Sequence, residues 1–175
     1  MSATPAQIIQ QVLLDASLTN PPVNKNTVWP SFISFLPDAD DAPNDAIGII
    51  DSMSVKQTRL MIGEVIERPG VQILVRSQKY DVGYARARAI VAELDEVINR
   101  PVQIDSTESY LITSVNRTSG VIPLGREPSG MGTKRRELFS INILFTVRAV
   151  TIPTPVLIWD GDTQSWDDDD LPWDP

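Results

Sequence analysis

Cysteine and histidine are both absent from this sequence of 175 residues. The absence of cysteine excludes disulfides, thiolate nucleophiles and thiolate metal ligands. The absence of histidine removes the imidazole ligands of zinc and non-haem iron sites, the commonest general base near neutral pH, and any Ser-His-Asp triad. An enzyme with this sequence would have to use carboxylates, lysine or tyrosine, and we predict no metal and no cofactor.

Long apolar runs are also missing. No stretch approaches the roughly 18 apolar residues of a membrane-spanning helix, and the first residues lack the basic and hydrophobic regions of a signal peptide. We therefore expect a soluble protein that is made in the cytosol and has no membrane partner. With 42% apolar residues, a chain of this length can bury one substantial core, which favours a single domain.

Positive charge is missing from the C-terminal segment. The net charge is −8, and residues 151–175 contain seven aspartates and no lysine or arginine. Residues 1–150 are nearly neutral, with 16 acidic and 15 basic residues. An acidic end repels nucleic acid and attracts basic protein surfaces. Direct DNA recognition is therefore not the expected task.

Two amphipathic helices are predicted from apolar residues at three- and four-residue spacing. Thr4 and Gln7 suit the two positions of a capping box at the start of the first helix, which residues 20–22 end. The second helix is predicted to begin with Asp81 as its N-cap and to close at residues 100–101.

Strands are predicted from one short apolar run and several alternating stretches. Arg68, Pro69 and Gly70 form either a turn between two strands or an edge or bulge position in one long bent strand. The clearest alternation is the last one, where every second residue is apolar. The predicted strands span residues 46–50, 60–66, 71–76, 102–105, 108–115 and 138–150.

This order of elements predicts an α+β fold, in which a mixed or antiparallel sheet carries two helices on one face. The other face must be solvated or covered by another subunit. Leu74, Leu111 and Leu144 occupy nominally polar positions of their strands, which favours a covering subunit. Residues 1–150 are interpreted as one α+β domain with a long hairpin loop, and residues 151–175 as an extended acidic tail.

Residues 59–100 carry a pattern in which a Gly-Glu pair precedes a strand, and the strand leads into a helix that opens with tyrosine and small residues. The pattern resembles the minor capsid and tail terminator proteins of the neck of tailed bacteriophages, and the resemblance extends over residues 1–150. The residues that carry it are Gly63, Glu64, Glu67, Arg68, Pro69, Gly70, Val71, Gln72, Ile73, Val75, Arg76, Tyr84 and Ala85.

The resemblance implies a structural virion protein without enzymatic activity, assembled in the host cytoplasm. Its subunits would form a homo-oligomeric ring, a hexamer by resemblance, that caps the tail tube protein and joins the head-side connector or stopper protein. DNA would pass through the ring without sequence-specific binding. A head-completion or connector protein of the same neck is the nearest alternative, because both are small α+β ring subunits.

A long connection at residues 116–136, rich in glycine, serine and proline, has flanks that look like the two arms of a hairpin. In the family that the sequence resembles, such a hairpin reaches the neighbouring subunit or the tube. The resemblance therefore implies a partner-binding role for four basic residues, although a solvated basic loop is an equal alternative. These residues are Arg126, Lys134, Arg135 and Arg136.

The tail at 151–175 contains Trp159, Trp166 and Trp173, each followed by an aspartate. Acidic residues disfavour folding of such a segment alone, whereas tryptophan is the side chain most enriched at interface hot spots. We interpret the tail as a docking segment whose tryptophans bind an adjacent subunit or partner ring. The alternative is a disordered acidic tail, and the family resemblance does not extend to it.

A carboxylate-dependent hydrolase is a remote alternative, with Glu64 and Glu67 as a carboxylate pair and Asp51 or Asp81 as a further partner. The two glutamates are three residues apart and would point to opposite faces of a strand. Ion pairing with neighbouring arginines is therefore the better explanation of these acids.

Overall fold

The computed structural model describes residues 3–23, 27–38, 42–59, 65–106, 108–126 and 135–150. Two helices and seven strands lie within these ranges. Neither helix is long and apolar enough to cross a membrane. The helices are α1 (Pro5–Asp15) and α2 (Tyr80–Asp95), and the strands are β1 (Ser31–Ile33), β2 (Ala46–Arg59), β3 (Val65–Ser77), β4 (Ile98–Gln103), β5 (Ser109–Arg117), β6 (Ile122–Arg126) and β7 (Glu137–Val150).

All seven strands form one sheet in the order β1-β2-β3-β7-β5-β4, and β6 also pairs with β7. β1 and β2 are parallel, and every other pair is antiparallel, so the sheet is mixed. Both helices pack on the same face, α1 mainly against β2 and β3 and α2 mainly against β7 and β3. The predicted α+β class and the two helices on one face are confirmed.

β7 is the central strand. One of its edges pairs with β3, and its other edge pairs first with β6 and then with β5. The predicted alternation along this strand is confirmed, because its apolar residues Phe139, Ile141, Ile143 and Phe145 are all buried. They meet the helices on what we call the inner face of the sheet. Burying each such side chain contributes about 1.5–3 kcal/mol.

The first helix begins as predicted. The side chain of Thr4 accepts a hydrogen bond from the backbone N–H of Gln7, and Gln7 Oε1 accepts one from the N–H of Thr4 at 2.7 Å. This capping box provides acceptors for two backbone N–H groups that have no partner within the helix. The helix ends earlier than predicted, at Asp15, and Ser17 with a φ of 57° turns the chain away.

The second helix differs from the prediction at both ends. Lys79 is the N-cap, and Asp81 lies in the first turn. There its negative charge interacts favourably with the positive end of the helix dipole. The helix ends at Asp95, and β4 begins at Ile98. A proline disfavours the helical conformation of the residue before it. Pro101 is tolerated in β4 because β4 is an edge strand.

The predicted turn at Arg68, Pro69 and Gly70 is wrong, and the alternative of one bent strand is correct. β3 runs without interruption through Pro69, and its register with β2 shifts between Ser52 and Val55, opposite this site. A Cβ atom on Gly70 would collide with the backbone oxygen of Met53 and lie 2.5 Å from Ser52 Oγ. The glycine therefore permits a close backbone approach at a bulge.

The opposite, outer face of the sheet is partly covered by the chain itself. Arg76 is fully buried; its Nη1 donates to the carbonyl oxygen of Pro37 at 2.7 Å and its Nη2 to that of Pro43 at 2.9 Å. Leu36 lies over Gly48, where a Cβ would be 2.7 Å from Leu36 Cγ. Residues 34–38 and 42–45 thus pack across one end of this face.

Candidate interaction surfaces

Two pairs of strands reach opposite ends of the sheet. β2 and β7 run in the same direction, because each is antiparallel to β3. Arg59 pairs with Val65 at the end of the sheet where β7 finishes, whereas Arg126 pairs with Glu137 where β7 begins. We call these the Arg59 end and the Arg126 end. A subunit with this topology can present different surfaces to partners above and below it.

The sheet divides at the Arg59 end, where β2 and β3 form a two-stranded ribbon and β7 continues beside β5 to Val150. β3 pairs with β7 only as far as Gly70, whereas its pairing with β2 continues to Val65. Pro69 has no N–H to donate, which helps to end the pairing with β7 at this point. Residues 60–64, which connect the two strands, lie outside the described residues, as does Glu64 of the hypothetical carboxylate pair.

The connection predicted at 116–136 is largely strand at its beginning. β5 continues to Arg117, and β6 follows it along the same edge of β7 after a shift in register. The prediction of two hairpin arms is correct in outline, but the irregular part is shorter than expected. Proline and glycine in β6 concealed the strand in the sequence. Residues 127–134, including the predicted partner-binding Lys134, lie outside the described residues.

The remaining three basic residues of the predicted site are divided between surface and interior. Arg126 is 63% exposed, and its Nε donates to Glu137 Oε1 at 2.8 Å. An exposed ion pair of this kind stabilises a fold by less than about 1 kcal/mol, so Arg126 is available to a partner. Arg135 is also exposed. Both lie at the Arg126 end of the sheet.

Arg136 is buried and contributes to the body of the protein. Its Nη2 donates to the carbonyl oxygen of Ala42 at 3.3 Å, so it holds the same segment that Arg76 binds. A buried guanidinium that satisfies backbone carbonyls is a structural group. The structure therefore brings Arg126 and Arg135 together on the surface and directs the side chain of Arg136 inward.

A tyrosine pair at the Arg126 end was not identified from the sequence. Tyr80 and Tyr84 are stacked in the first turn of α2, with ring centroids 6.0 Å apart and planes within 8° of each other. Both rings contact the buried Phe139, at 5.1 Å and 6.1 Å, and both remain substantially exposed. The spacing of four residues on one helix was the available signal.

The next residue of the same helix that bears a long side chain, Arg86, fixes a loop. Its guanidinium lies 5.0 Å from the centre of the Trp29 ring, and its Nη1 donates to the carbonyl oxygen of Leu18 at 3.3 Å. Burial lowers the pKa of Arg86, yet arginine remains charged at neutral pH. Arg86 therefore connects α2 to the segment that contains Leu18 and Trp29.

The carboxylates considered for catalysis do not form a site within the described residues. Asp51 Oδ1 accepts a hydrogen bond from the backbone N–H of Ala6 at 2.7 Å, which positions α1. Asp81 belongs to the first turn of α2. No group of three or more acidic residues that could hold a metal ion occurs in the described ranges. Trp159, Trp166 and Trp173 lie outside those ranges.

The outer face retains partly exposed apolar residues. Leu74, Leu111 and Leu144 are all half-buried, on strands β3, β5 and β7. Among them are polar groups such as Gln72, whose Nε2 donates to Ser140 Oγ at 3.0 Å. This mixture of apolar and hydrogen-bonding side chains is typical of protein interfaces.

Comparison with protein families gives a match over most of this structure. A family model described as bacteriophage tail terminator protein matches residues 19–148. The matched range includes α2 and all the strands except the last two residues of β7, and it excludes α1 and the tail at 151–175. No curated protein matches the chain. The resemblance predicted from residues 59–100 is confirmed.

Proposed function

Because this chain belongs to the bacteriophage tail terminator protein family, and is therefore a structural component of a phage tail, we propose that it forms the ring that caps the tail tube. In this proposal, residues 1–150 form the ring body and residues 151–175 a separate acidic tail. Six subunits close the ring through heterologous contacts. The ring joins the head-side connector or stopper protein and lets DNA pass without sequence-specific contacts.

The observation that supports this proposal best is the presence of two differently built ends on one rigid sheet. The Arg126 end carries exposed arginines and tyrosines, whereas at the Arg59 end the β2–β3 ribbon separates from the β7–β5 pair. A ring subunit between a tube and a connector needs two such surfaces. We assign the Arg126 end to the tube and the Arg59 end to the connector side. Assembly takes place in the host cytoplasm, and we propose no catalytic role.

Charge reversal at the Arg126 end should weaken tube binding. We expect the Arg126→Glu/Arg135→Glu variant to co-sediment with purified tail tubes about tenfold more weakly than the unmodified protein, because close charge pairs across an interface contribute more than about 1.4 kcal/mol. Light scattering reports separately whether the variant still forms a ring, and tube binding is compared at concentrations where both proteins have the mass of six subunits.

Arg148→Glu provides the matched control for this experiment. Arg148 is an exposed arginine near the opposite end of β7, where its register partner is Leu111. The Arg148→Glu variant should co-sediment with tubes as strongly as the unmodified protein does. Equal binding by all three proteins would contradict the assignment of the Arg126 end to the tube. Co-sedimentation of the unmodified protein with filled capsids in place of tubes would identify a head-completion protein instead.

Removal of the tail should weaken the ring without unfolding the body. A protein that ends at residue 150 retains every described helix and strand, so its circular dichroism spectrum should be unchanged. Its mass by light scattering should fall towards that of a monomer at concentrations where the full chain is a ring. Replacement of Trp159, Trp166 and Trp173 by serine in the full chain should have the same effect. An undiminished ring in both proteins would refute the docking role of the tail.

A further inference from the structure

An exposed apolar surface lies at the Arg126 end, beside the tyrosine pair. Tyr80 is 51% exposed and Tyr84 39% exposed, although both rings rest on Phe139. On β7, Phe139 is the register partner of Pro123 in β6, so β6 runs directly beside the tyrosines. Pro123 is exposed and, as the register partner of Phe139, lies on the same face as the tyrosines. Ile122 and Leu124 are also exposed, and Ile122, the register partner of Ser140, lies on the other face of the strand. We call these residues, Tyr80, Tyr84 and Ile122 to Leu124, the Tyr80–β6 surface.

β6 also has an open edge. All five of its residues are exposed, and one of its edges pairs with β7. Within the described residues no strand pairs with its other edge. An open edge with exposed apolar residues is a template for strand pairing, which proteins ordinarily protect by charge or by covering segments. The Tyr80–β6 surface therefore has the features of a site that receives an added strand.

The charges around this surface favour an acidic partner. Lys79 is exposed at the start of α2, and Arg126 and Arg135 are exposed at the end of β6 and the start of β7. The segment 151–175 of this chain carries seven aspartates and no basic residue. Residues 156–159 of this segment form the apolar run Val-Leu-Ile-Trp, whose β-branched and aromatic residues suit an added strand.

We propose that residues 156–159 of one subunit add to the open edge of β6 in a second copy of the chain, with Trp159 against Tyr80 and Tyr84. The aspartates that follow Trp159 then meet Lys79, Arg126 and Arg135. Tryptophan and tyrosine are the residues most enriched at interface hot spots, and the backbone hydrogen bonds of an added strand supply affinity. This proposal rests on the proposed ring and names the contact through which the tail closes it.

Geometry requires a second copy. β7 ends at Val150, and Phe139 lies about 36 Å back along the strand at about 3.3 Å per residue. Val156 follows Val150 by six residues, which can span at most about 22 Å even when fully extended. The run 156–159 of a subunit therefore cannot lie along its own β6. A neighbouring subunit has no such restriction.

Photo-cross-linking of the full chain tests the contact. A benzoylphenylalanine in place of Trp159 is activated in rings assembled from equal amounts of ¹⁴N- and ¹⁵N-labelled chains, and the products are mapped by mass spectrometry. We expect position 159 to link to peptides that contain Tyr80 and Tyr84 or residues 122–126, with half of the linked pairs carrying mixed isotopes. Links to any other surface, links only within one chain, or no links would overturn the proposal.

Three variants, of which one is a control, separate this contact from the assembly itself. Leu124→Glu adds a negative charge to β6 and should lower the yield of these cross-links by about tenfold. This is the effect expected when a residue contributes about 1.4 kcal/mol to the free energy of binding. Ile98→Glu places the same charge at another exposed apolar residue, on the edge strand β4, and should leave the yield unchanged. Tyr80→Ser provides a second test, since it removes an exposed ring without adding charge. Equal yields in all three variants would refute the site.

Co-sedimentation with tail tubes provides the independent readout. A protein that binds tubes as a ring, but cross-links elsewhere, would retain the proposed function and overturn only the docking contact. A protein that neither forms rings nor binds tubes would overturn both.

Discussion

Replacement of Arg76 by methionine is expected to lower the free energy of unfolding by about 3 kcal/mol. Its guanidinium donates to the carbonyl oxygens of Pro37 and Pro43 in a fully buried setting. Hydrogen bonds to a charged donor contribute about 1.5–3 kcal/mol each, and their removal leaves two carbonyl groups without this donor. Methionine preserves much of the apolar stem. Thermal denaturation should show a melting temperature lower by about 10 °C.

The control for this variant is Arg148→Met. Arg148 is an exposed residue of β7, so its replacement should change the free energy of unfolding by less than about 0.5 kcal/mol. Equal stability of the two variants would show that other contacts hold residues 34–38 and 42–45, the covering segment, on the outer face. Because that segment covers the end of the sheet nearest to Arg136, the Arg76 variant should also expose this region to proteolysis before the rest of the protein.

Gly70→Ala is expected to destabilise the protein by about 2–3 kcal/mol, a typical cost of overpacking. Alanine is ordinarily better than glycine inside a strand by about 0.5–1 kcal/mol, so the sign of the change is itself informative. Here the new methyl group would collide with the backbone oxygen of Met53 and with Ser52 Oγ. β2 would have to move away from β3 at the bulge. Chemical denaturation measured by circular dichroism provides the test.

Gly120→Ala is the control for the substitution at Gly70. A Cβ atom at Gly120 meets no other atom within 4 Å, so the added methyl group should cost little. Loss of stability in both variants would point to a general effect of removing glycine. An unchanged or raised stability of Gly70→Ala would contradict the close approach of the two strands.

Local patterns in the sequence identified the elements whose surroundings are uniform along their length. β7 alternates over its whole length because one side always meets the helices, so Phe139 to Phe145 could be assigned to the core. The start of α1 was also predictable, since the capping box involves only Thr4 and Gln7. Such signals depend on residues that are neighbours in the sequence.

The division of the basic residues could not be predicted in this way. Arg135 and Arg136 are adjacent and chemically identical, yet one is exposed and the other is bound to Ala42, which lies 94 residues away. The choice between a turn and a bulge at Pro69 was open for a related reason. It depends on how closely β2 approaches Gly70. The residues that neighbour Gly70 in the sequence do not indicate that distance.

The proposed interaction surface was only partly predictable. Arg126 and Arg135 were assigned a contact role from the family resemblance, which stays a prediction, but the open edge of β6 was not identified, because Pro123 and Gly125 interrupt its alternation. The tyrosine pair was missed because exposure on α2 depends on which of its residues reach Phe139. These features come from packing between distant segments, which a single sequence does not display.

The central position of β7 also has a consequence for the timing of synthesis. Among the described strands β7 comes last in chain order, and it pairs with β3, β5 and β6. Until it leaves the ribosome, none of these three strands has its central partner, and the inner face of the sheet is incomplete. Non-local pairing of this kind is slow and leaves apolar strands exposed during translation. A nascent chain that has not yet released residues 137–150 therefore has no complete sheet, and a subunit can enter the proposed ring only after these residues have left the ribosome.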